Sequence, residues 1–375
     1  MPEAAQKAPA RYPYLDLLKC IAVFSVCAYH FSWVGEIGFA PVLPFSVWLK
    51  RALFSLNTVC VPLFFMVNGA LLFSRPLDLR RHFRKSAVLL GQYFAWRLIT
   101  VAALCLIKRL PREELGFSRL INAVFFFDNL KGIRYTHLWF IPVLLQLYLL
   151  FPFLKLCFDR LDKLDNRLML GVLLGVLGAV CFAADDIASV CGVAGRFHRL
   201  HPRNLNQLNP FQGMLGIMLC YFLVGGLLHR NLGRCKPIPS WQPMAGLAAG
   251  MVLLTAKWWA ESLAHEKPWD SVFGGYGSLP GALMAVSVFL LAAKLPEDFP
   301  ARHRNAARFI RLLGENTLGI YYLHWLVGEW LLPMAWKIFP HTGLLPNTAK
   351  AAMLLAVSLP LCLLGKKIPL VRRLF

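Results

Sequence analysis

The chain has 375 residues, 58% of them hydrophobic and 16% charged, with a mean hydropathy of +0.55. These values exclude a soluble globular domain and describe a polytopic membrane protein. The formal charge of +21 falls in short loops between apolar runs, which fits membrane topology and contact with anionic lipid and speaks against a nucleic-acid partner.

A spanning helix takes about 20 apolar residues, so the chain supplies about ten. They are expected near 15–34, 52–73, 86–107, 137–157, 168–184, 213–229, 242–260, 278–293, 315–335 and 349–365. The runs do not alternate apolar and polar positions, so an all-α fold is expected rather than a barrel. A single membrane domain, 13–366, is expected between short cytoplasmic tails at 1–12 and 367–375. Basic residues concentrate where an N-in, C-in arrangement puts the cytoplasm: Arg75, Arg80, Arg81, Arg84 and Lys85 in one loop, Lys294, Arg302, Arg304, Arg308 and Arg311 in another. The ten cysteines lack CxxC spacing and read as free thiols; no metal site is expected.

The first run, YLDLLKCIAVFSVCAYH at 14–30, carries Asp16, Lys19 and His30. At 1.5 Å and 100° per residue, Lys19 and His30 share nearly the same face roughly 16 Å apart, with Asp16 one turn before Lys19. Ionisable groups inside a span cost about 2.5–3.5 kcal/mol each on insertion scales, so the stripe reads as a site. Asp16 and Lys19 also fit a plainer role as interfacial residues snorkelling to headgroups.

In the second run, Asn68 precedes Gly69 in FFMVNGALLF, where it bonds across helices or lines a tunnel. Phe125, Phe126 and Phe127 beside Asp128 suggest a re-entrant or interfacial segment in the third loop. His137 opens the fourth run beside Tyr135 and Trp139, which also suits an aromatic belt. Glu315 and Asn316 open the ninth run, with Asn316 as its cap, and His324 and Glu329 follow. If the first helix rises from the cytoplasm, His30 lies about 20 Å up, His324 reaches a comparable height, and His137 enters from the outer side. The three histidines therefore share a level; their lateral convergence is not legible in the sequence.

Five strings occur in family order: LDLLKCIAVFSVCAYH, VPLFFMVNGALLF, RHFRKS, HLWFIPVLLQLYLLFPFL and NTLGIYYLHWLV. On these the chain resembles the acyltransferase-3 family, and within it the bacterial inner-membrane O-acetyltransferases of surface glycans, of the enterobacterial common antigen type. The resemblance implies transfer of an acyl group, usually acetyl, from cytoplasmic acetyl-CoA to a sugar hydroxyl on a lipid-linked or surface glycan. The family's first-helix motif, a basic residue and a histidine after ten intervening positions, maps onto Lys19 and His30. Here lysine stands where arginine is usual, a point charge without the bidentate fork.

Imidazole is suited to take a hydroxyl proton near neutral pH, and neutral histidine is also able to attack the thioester itself; both roles stay open for His30. His137 and His324 are expected to assist near the acceptor. Arg81, Arg84 and Lys85 are candidates for the CoA phosphates, although a second arginine of the family pattern is missing near Val88. The fifth loop, 195–212, offers Arg196, His198, Arg199, His201, Arg203 and several amides to the acceptor. A transporter or flippase using the intramembrane charges for coupling is the alternative from another class, and a structural subunit without chemistry is the third.

Overall fold

The computed structural model describes residues 11–31, 43–108, 116–126, 136–194, 201–211, 213–339 and 344–375. The chain forms helices α1 (Pro13–Phe31), α2 (Phe45–Ser55), α3 (Cys60–Phe73), α4 (Leu79–Lys108), α5 (Phe117–Phe125), α6 (Phe140–Asp159), α7 (Leu164–Gly178) and α8 (Ala184–Ala194). These are followed by α9 (Met214–Arg230), α10 (Leu232–Cys235), α11 (Trp241–His265), α12 (Leu279–Ala293), α13 (Phe299–Arg302), α14 (Arg304–Ile338) and α15 (Leu344–Lys367). No strand occurs among the described residues. Lipid offers no partners for backbone N–H and C=O groups, so long apolar runs satisfy them within the helix. Among the described residues, five stretches are long and apolar enough to cross a membrane: Phe45–Phe73, Leu79–Ala103, His137–Asp159, Leu164–Cys191 and Leu345–Lys367. Helices α9 and α12 are apolar but shorter. Over the described residues, every apolar run marked in the sequence coincides with helix.

Helix α1 packs against α3, α12, α14 and α15, which places the Asp16–Lys19–His30 stripe among other helices. The tightest crossing is α3 on α9. A Cβ at Gly69 would lie 1.8 Å from the Phe222 carbonyl oxygen, and one at Gly225 would lie 2.1 Å from that of Met66. Small residues let backbones approach where no hydrophobic force joins helices in lipid. Beside this crossing, Phe73 stacks on Phe158 at 4.0 Å and meets Phe151 and Phe222, tying α6 to the pair. Residues 371–375 also fold onto the bundle: Trp96 donates to the Leu374 carbonyl at 2.8 Å, and the Phe375 ring lies against Gly319 and Gly365.

One expectation is corrected. Helix α14 begins at Arg304, so Asn316 lies three turns inside it and caps nothing. The run RNAARFIRLLGEN has no proline or turn signal to delay helix formation. Buried Asn316 instead donates to the Leu312 carbonyl at 2.7 Å and accepts from Lys366 Nζ at 2.6 Å, which links α14 to α15. In the third loop, α5 buries Ala123 and Val124, exposes Phe125 and Phe126, and receives Arg97 Nε on the Ala123 carbonyl at 3.0 Å. Phe127, Asp128 and Tyr135 lie outside the described residues, as do Arg196, His198 and Arg199.

A network of ion pairs joins α8, α11 and the short turn of helix at Pro202–Leu208. Buried Lys257 lies 2.6 Å from Asp185 and 2.5 Å from Asp186; Arg203 reaches Asp185 at 2.8 Å and Glu261 at 2.5 Å. Asp186 also accepts the Leu279 N–H at 2.7 Å, fixing the start of α12. Ser278 caps that start by accepting the Gly281 N–H at 3.1 Å, with Pro280 in the first turn where its missing N–H is not needed.

Candidate active site

The three histidines marked in the sequence meet. His30 stands in the last turn of α1, His137 in the turn Thr136–Trp139 that leads into α6, and His324 inside α14. The His30 and His324 rings are 5.3 Å apart between centroids, and those of His137 and His324 are 5.4 Å apart. Trp325 supports both outer rings: it stacks on His137 at 5.0 Å with the two planes nearly parallel, and meets His30 edge-on at 5.2 Å. Consecutive positions on α14 thus supply a histidine and the indole that frames its neighbours.

Hydrogen bonds assign part of this cluster. His324 Nδ1 contacts the Tyr321 carbonyl, which only accepts, so Nδ1 carries the proton in the neutral ring and Nε2 carries the lone pair. The Tyr321 hydroxyl donates in turn to the His137 carbonyl, pinning the turn before α6 to α14. Both ring nitrogens of His137 are buried with no hydrogen-bond partner among the described residues. Buried polar groups left unpaired cost about 1–3 kcal/mol, and such groups concentrate where a ligand is met. His137→Phe keeps the stack on Trp325 and removes both nitrogens. Its expected outcome is an unfolding midpoint in detergent that holds or rises, with turnover lower by about tenfold; unchanged turnover would mean that the ring is only packing.

Two cavities flank this aromatic layer. One, of about 380 Å³, is lined by His30, His137, Tyr29, Trp139, Asp270 and Tyr276 among others. Asp270 forms one wall by accepting the Tyr29 hydroxyl at 2.5 Å through Oδ2, while its Oδ1 accepts the N–H groups of Val272 and Phe273 at 3.1 Å. The second, of about 220 Å³, is lined by Lys19, Asn68, Leu89, Leu144, Tyr148 and Gly314 among others. Phe140 and Tyr321 line both, their rings 5.3 Å apart, and form the partition between them. Lys19 and His30 therefore share one helix but open into different cavities.

Of the remaining candidates, Asn68 lines the smaller cavity, and Asp16, Arg81, Arg84 and Lys85 do not. Asp16 lines neither cavity; it is 5% exposed and holds Lys19 Nζ at 2.9 Å and Arg11 Nη2 at 2.8 Å. Asn68 donates to the Phe64 carbonyl of its own helix at 2.8 Å and accepts from Tyr148 on α6 at 2.9 Å, so it both crosses helices and lines the cavity. His82, buried one turn into α4, meets the Tyr148 carbonyl at 2.8 Å and continues that chain. Arg81, Arg84 and Lys85 are exposed and line neither cavity, although Leu89, one turn beyond Lys85, does. Among the described residues no cluster of three or more His, Cys, Asp or Glu side chains is placed to hold a metal ion.

Sequence reasoning missed Phe140, Tyr321, Trp325 and Asp270. The first three are aromatic residues in apolar helices and look like core; only the string NTLGIYYLHWLV, which holds Tyr321 and Trp325 beside His324, marked their neighbourhood.

The profile of a family described as an acyltransferase domain matches residues 12–366, nearly the whole chain. No curated protein matches, and no solved structure matches. The matched span includes the histidine cluster, both cavities and the helices that build them, and this chain belongs to the acyltransferase-3 family.

Proposed function

We propose that this protein is a membrane O-acyltransferase that moves an acyl group, acetyl by its sequence resemblance, from cytoplasmic acyl-CoA to a hydroxyl of a lipid-linked or cell-surface glycan. The observation that carries the reading is the pair of cavities, one holding Lys19 and the other His30 and His137, with Phe140 and Tyr321 lining both. A donor and an acceptor arriving from opposite sides of a membrane need two chambers and a reacting group at their boundary. In this reading about ten helices span a bacterial inner membrane, with both ends of the chain in the cytoplasm and Lys19 nearer that side.

The acceptor hydroxyl gives its proton to an imidazole nitrogen of the cluster as its oxygen forms the new C–O bond to the thioester carbonyl. The C–S bond breaks, and the CoA thiolate leaves and takes up that proton. A two-step route through acyl-His30 has the same balance, with the ring nitrogen as first nucleophile. Trp325 and the Tyr321 bonds hold the rings, which limits the reorganisation needed at reaction. Lys19, fixed by Asp16, offers a cation to the donor's carbonyl or phosphate oxygens, and exposed Arg81, Arg84 and Lys85 offer charge to the CoA phosphates at the entrance.

The test is direct. Purified protein in liposomes, given acetyl-labelled CoA and membrane glycolipid from the native host, is expected to release free thiol and label the glycolipid. Glycan movement without thiol release would replace this reading with a transporter. Lys19→Ala is expected to raise KM for acyl-CoA by about tenfold, with Lys19→Arg retaining most of the affinity. An unchanged KM in Lys19→Ala would restrict Lys19 to its ion pair with Asp16.

A further inference from the structure

A third cavity, of about 350 Å³, lies beside the histidine cavity and shares Phe273 with it. Its polar lining comes from Asp185, Arg203, Asn206 and Asn209, and its aromatic lining from Trp269 and Phe273. The volume falls in the range of small-ligand sites, about 300–1,000 Å³. We infer that this cavity is the glycan subsite, binding a neutral pyranose ring of the acceptor and directing its hydroxyl toward the histidine cavity. The inference rests on the acyltransfer reading for the identity of the acceptor, but not for the existence of the binding site.

The walls are built rather than incidental. Residues 269–277 form the partition: Asp270 and Tyr276 face the histidine cavity, Trp269 and Gly274 face the third, and Phe273 faces both. A Cβ at Gly274 would lie 2.2 Å from the Trp269 ring, so glycine there lets the indole seat against the backbone. Gly213, at φ +60°, makes the left-handed turn that brings the Pro202–Leu208 segment to α9. On the opposite wall, Val180 and Cys181 belong to a π-helical turn between α7 and α8, and such turns are concentrated at functional sites.

The chemistry selects the ligand class. Asn209 Nδ2 donates to Asn206 Oδ1 at 3.1 Å and Asn209 Oδ1 accepts the Phe211 N–H at 2.9 Å, so both amides are oriented, while Asn206 Nδ2 has no partner among the described residues and offers two N–H donors to a ligand. Arg203 binds Asp185 and Glu261 through Nε and Nη2, leaving Nη1 without a partner among the described residues. Fixed planar donors beside an indole suit a pyranose, whose equatorial hydroxyls point outward and whose axial C–H groups form an apolar face. Charge argues against an anion. The cations Arg203 and Lys257 face three carboxylates, Asp185, Asp186 and Glu261, so the local balance is not positive. A lipid phosphate or sugar phosphate is therefore disfavoured, and a neutral ring favoured.

The experiment is saturation-transfer NMR on the full chain in nanodiscs, with methyl β-glucoside, methyl β-galactoside and methyl β-N-acetylglucosaminide as probes and glycerol as control. At least one glycoside is expected to receive saturation, with Trp269→Ala and, independently, Asn206→Ala reducing affinity by about tenfold. Asn206 is exposed, so its variant keeps the test valid if the tryptophan variant does not fold. Glycoside signals no larger than that of glycerol, or equal signals in wild type and both variants, would overturn the inference. Binding needs no thioester, so the two readings fail separately: thiol release without glycoside binding removes the subsite alone, and glycoside binding without thiol release removes acyltransfer alone.

Discussion

His30→Ala is expected to lower acyl transfer by about 10²–10⁴-fold, the contribution typical of a positioned proton-transfer group. His30 lines the larger cavity and lies within ring contact of His324 and Trp325, so loss of its imidazole removes the group that a hydroxyl entering from that side meets. The neighbouring histidines do not replace it. His324 is fully buried, with Nδ1 committed to the Tyr321 carbonyl, and His137 is held face to face on Trp325. Folding is expected to survive, because the missing ring borders a cavity rather than closed core. The measurement is acetyl incorporation by purified variant and wild type, beside helical circular dichroism and the unfolding midpoint in detergent. Turnover within a few-fold of wild type, with the fold intact, would remove His30 from the chemistry and shift the role to His137 or His324. Quenching the wild type with acid and mapping the acetyl group by mass spectrometry separates the two routes: a label on His30 marks the two-step path.

Gly69→Ala is expected to destabilise the protein by about 3 kcal/mol or more, at the upper end of overpacking effects. The added methyl would sit 1.8 Å from a backbone oxygen of α9, and a backbone atom has no rotamer by which to withdraw. The helices must separate, and the Phe73, Phe158 and Phe222 contacts next to the crossing separate with them. Asn68, adjacent to Gly69, would move away from Tyr148, so the smaller cavity is expected to deform as well. Gly91→Ala is the control, since a Cβ there meets nothing within 4 Å. Unfolding midpoints in detergent, read together with fluorescence-detected gel filtration, should show a large loss for position 69 and none for position 91. Equal behaviour of the two variants would mean that α3 and α9 do not cross this closely.

Much of the architecture was legible because the physics of a membrane chain is local. Each long apolar run must satisfy its own backbone, so helices could be placed from composition alone, and over the described residues every run marked in this way coincides with helix. The exceptions are instructive. Residues 304–315, read as loop, are the first three turns of α14, because a charged surface segment forms helix as readily as an apolar one when nothing interrupts it. The third loop contains α5, whose short apolar face needed Val101 and the carbonyl contact from Arg97 before it had a partner.

The site divides in the same way. Helix periodicity put Asp16, Lys19 and His30 on one stripe, and the cost of ionisable groups in an apolar segment marked them before any fold was known. The sequence also put His30, His137 and His324 at one level. Their meeting depended on how α1, α14 and the turn before α6 pack laterally, which is set by side-chain shape over distances of hundreds of residues in sequence and leaves no periodic signal. The same packing made Phe140 and Tyr321 a partition between two cavities rather than two more core aromatics, and turned Arg203, Asn206, Asn209 and Trp269 from scattered loop residues into one lined cavity. By itself, then, the sequence determined that this is a helical membrane chain with ionisable groups on its first helix, because insertion cost and helix geometry act one segment at a time. Only the tertiary structure decided which residues surround those groups and how space is divided around them, because cavities and ring contacts belong to several helices at once.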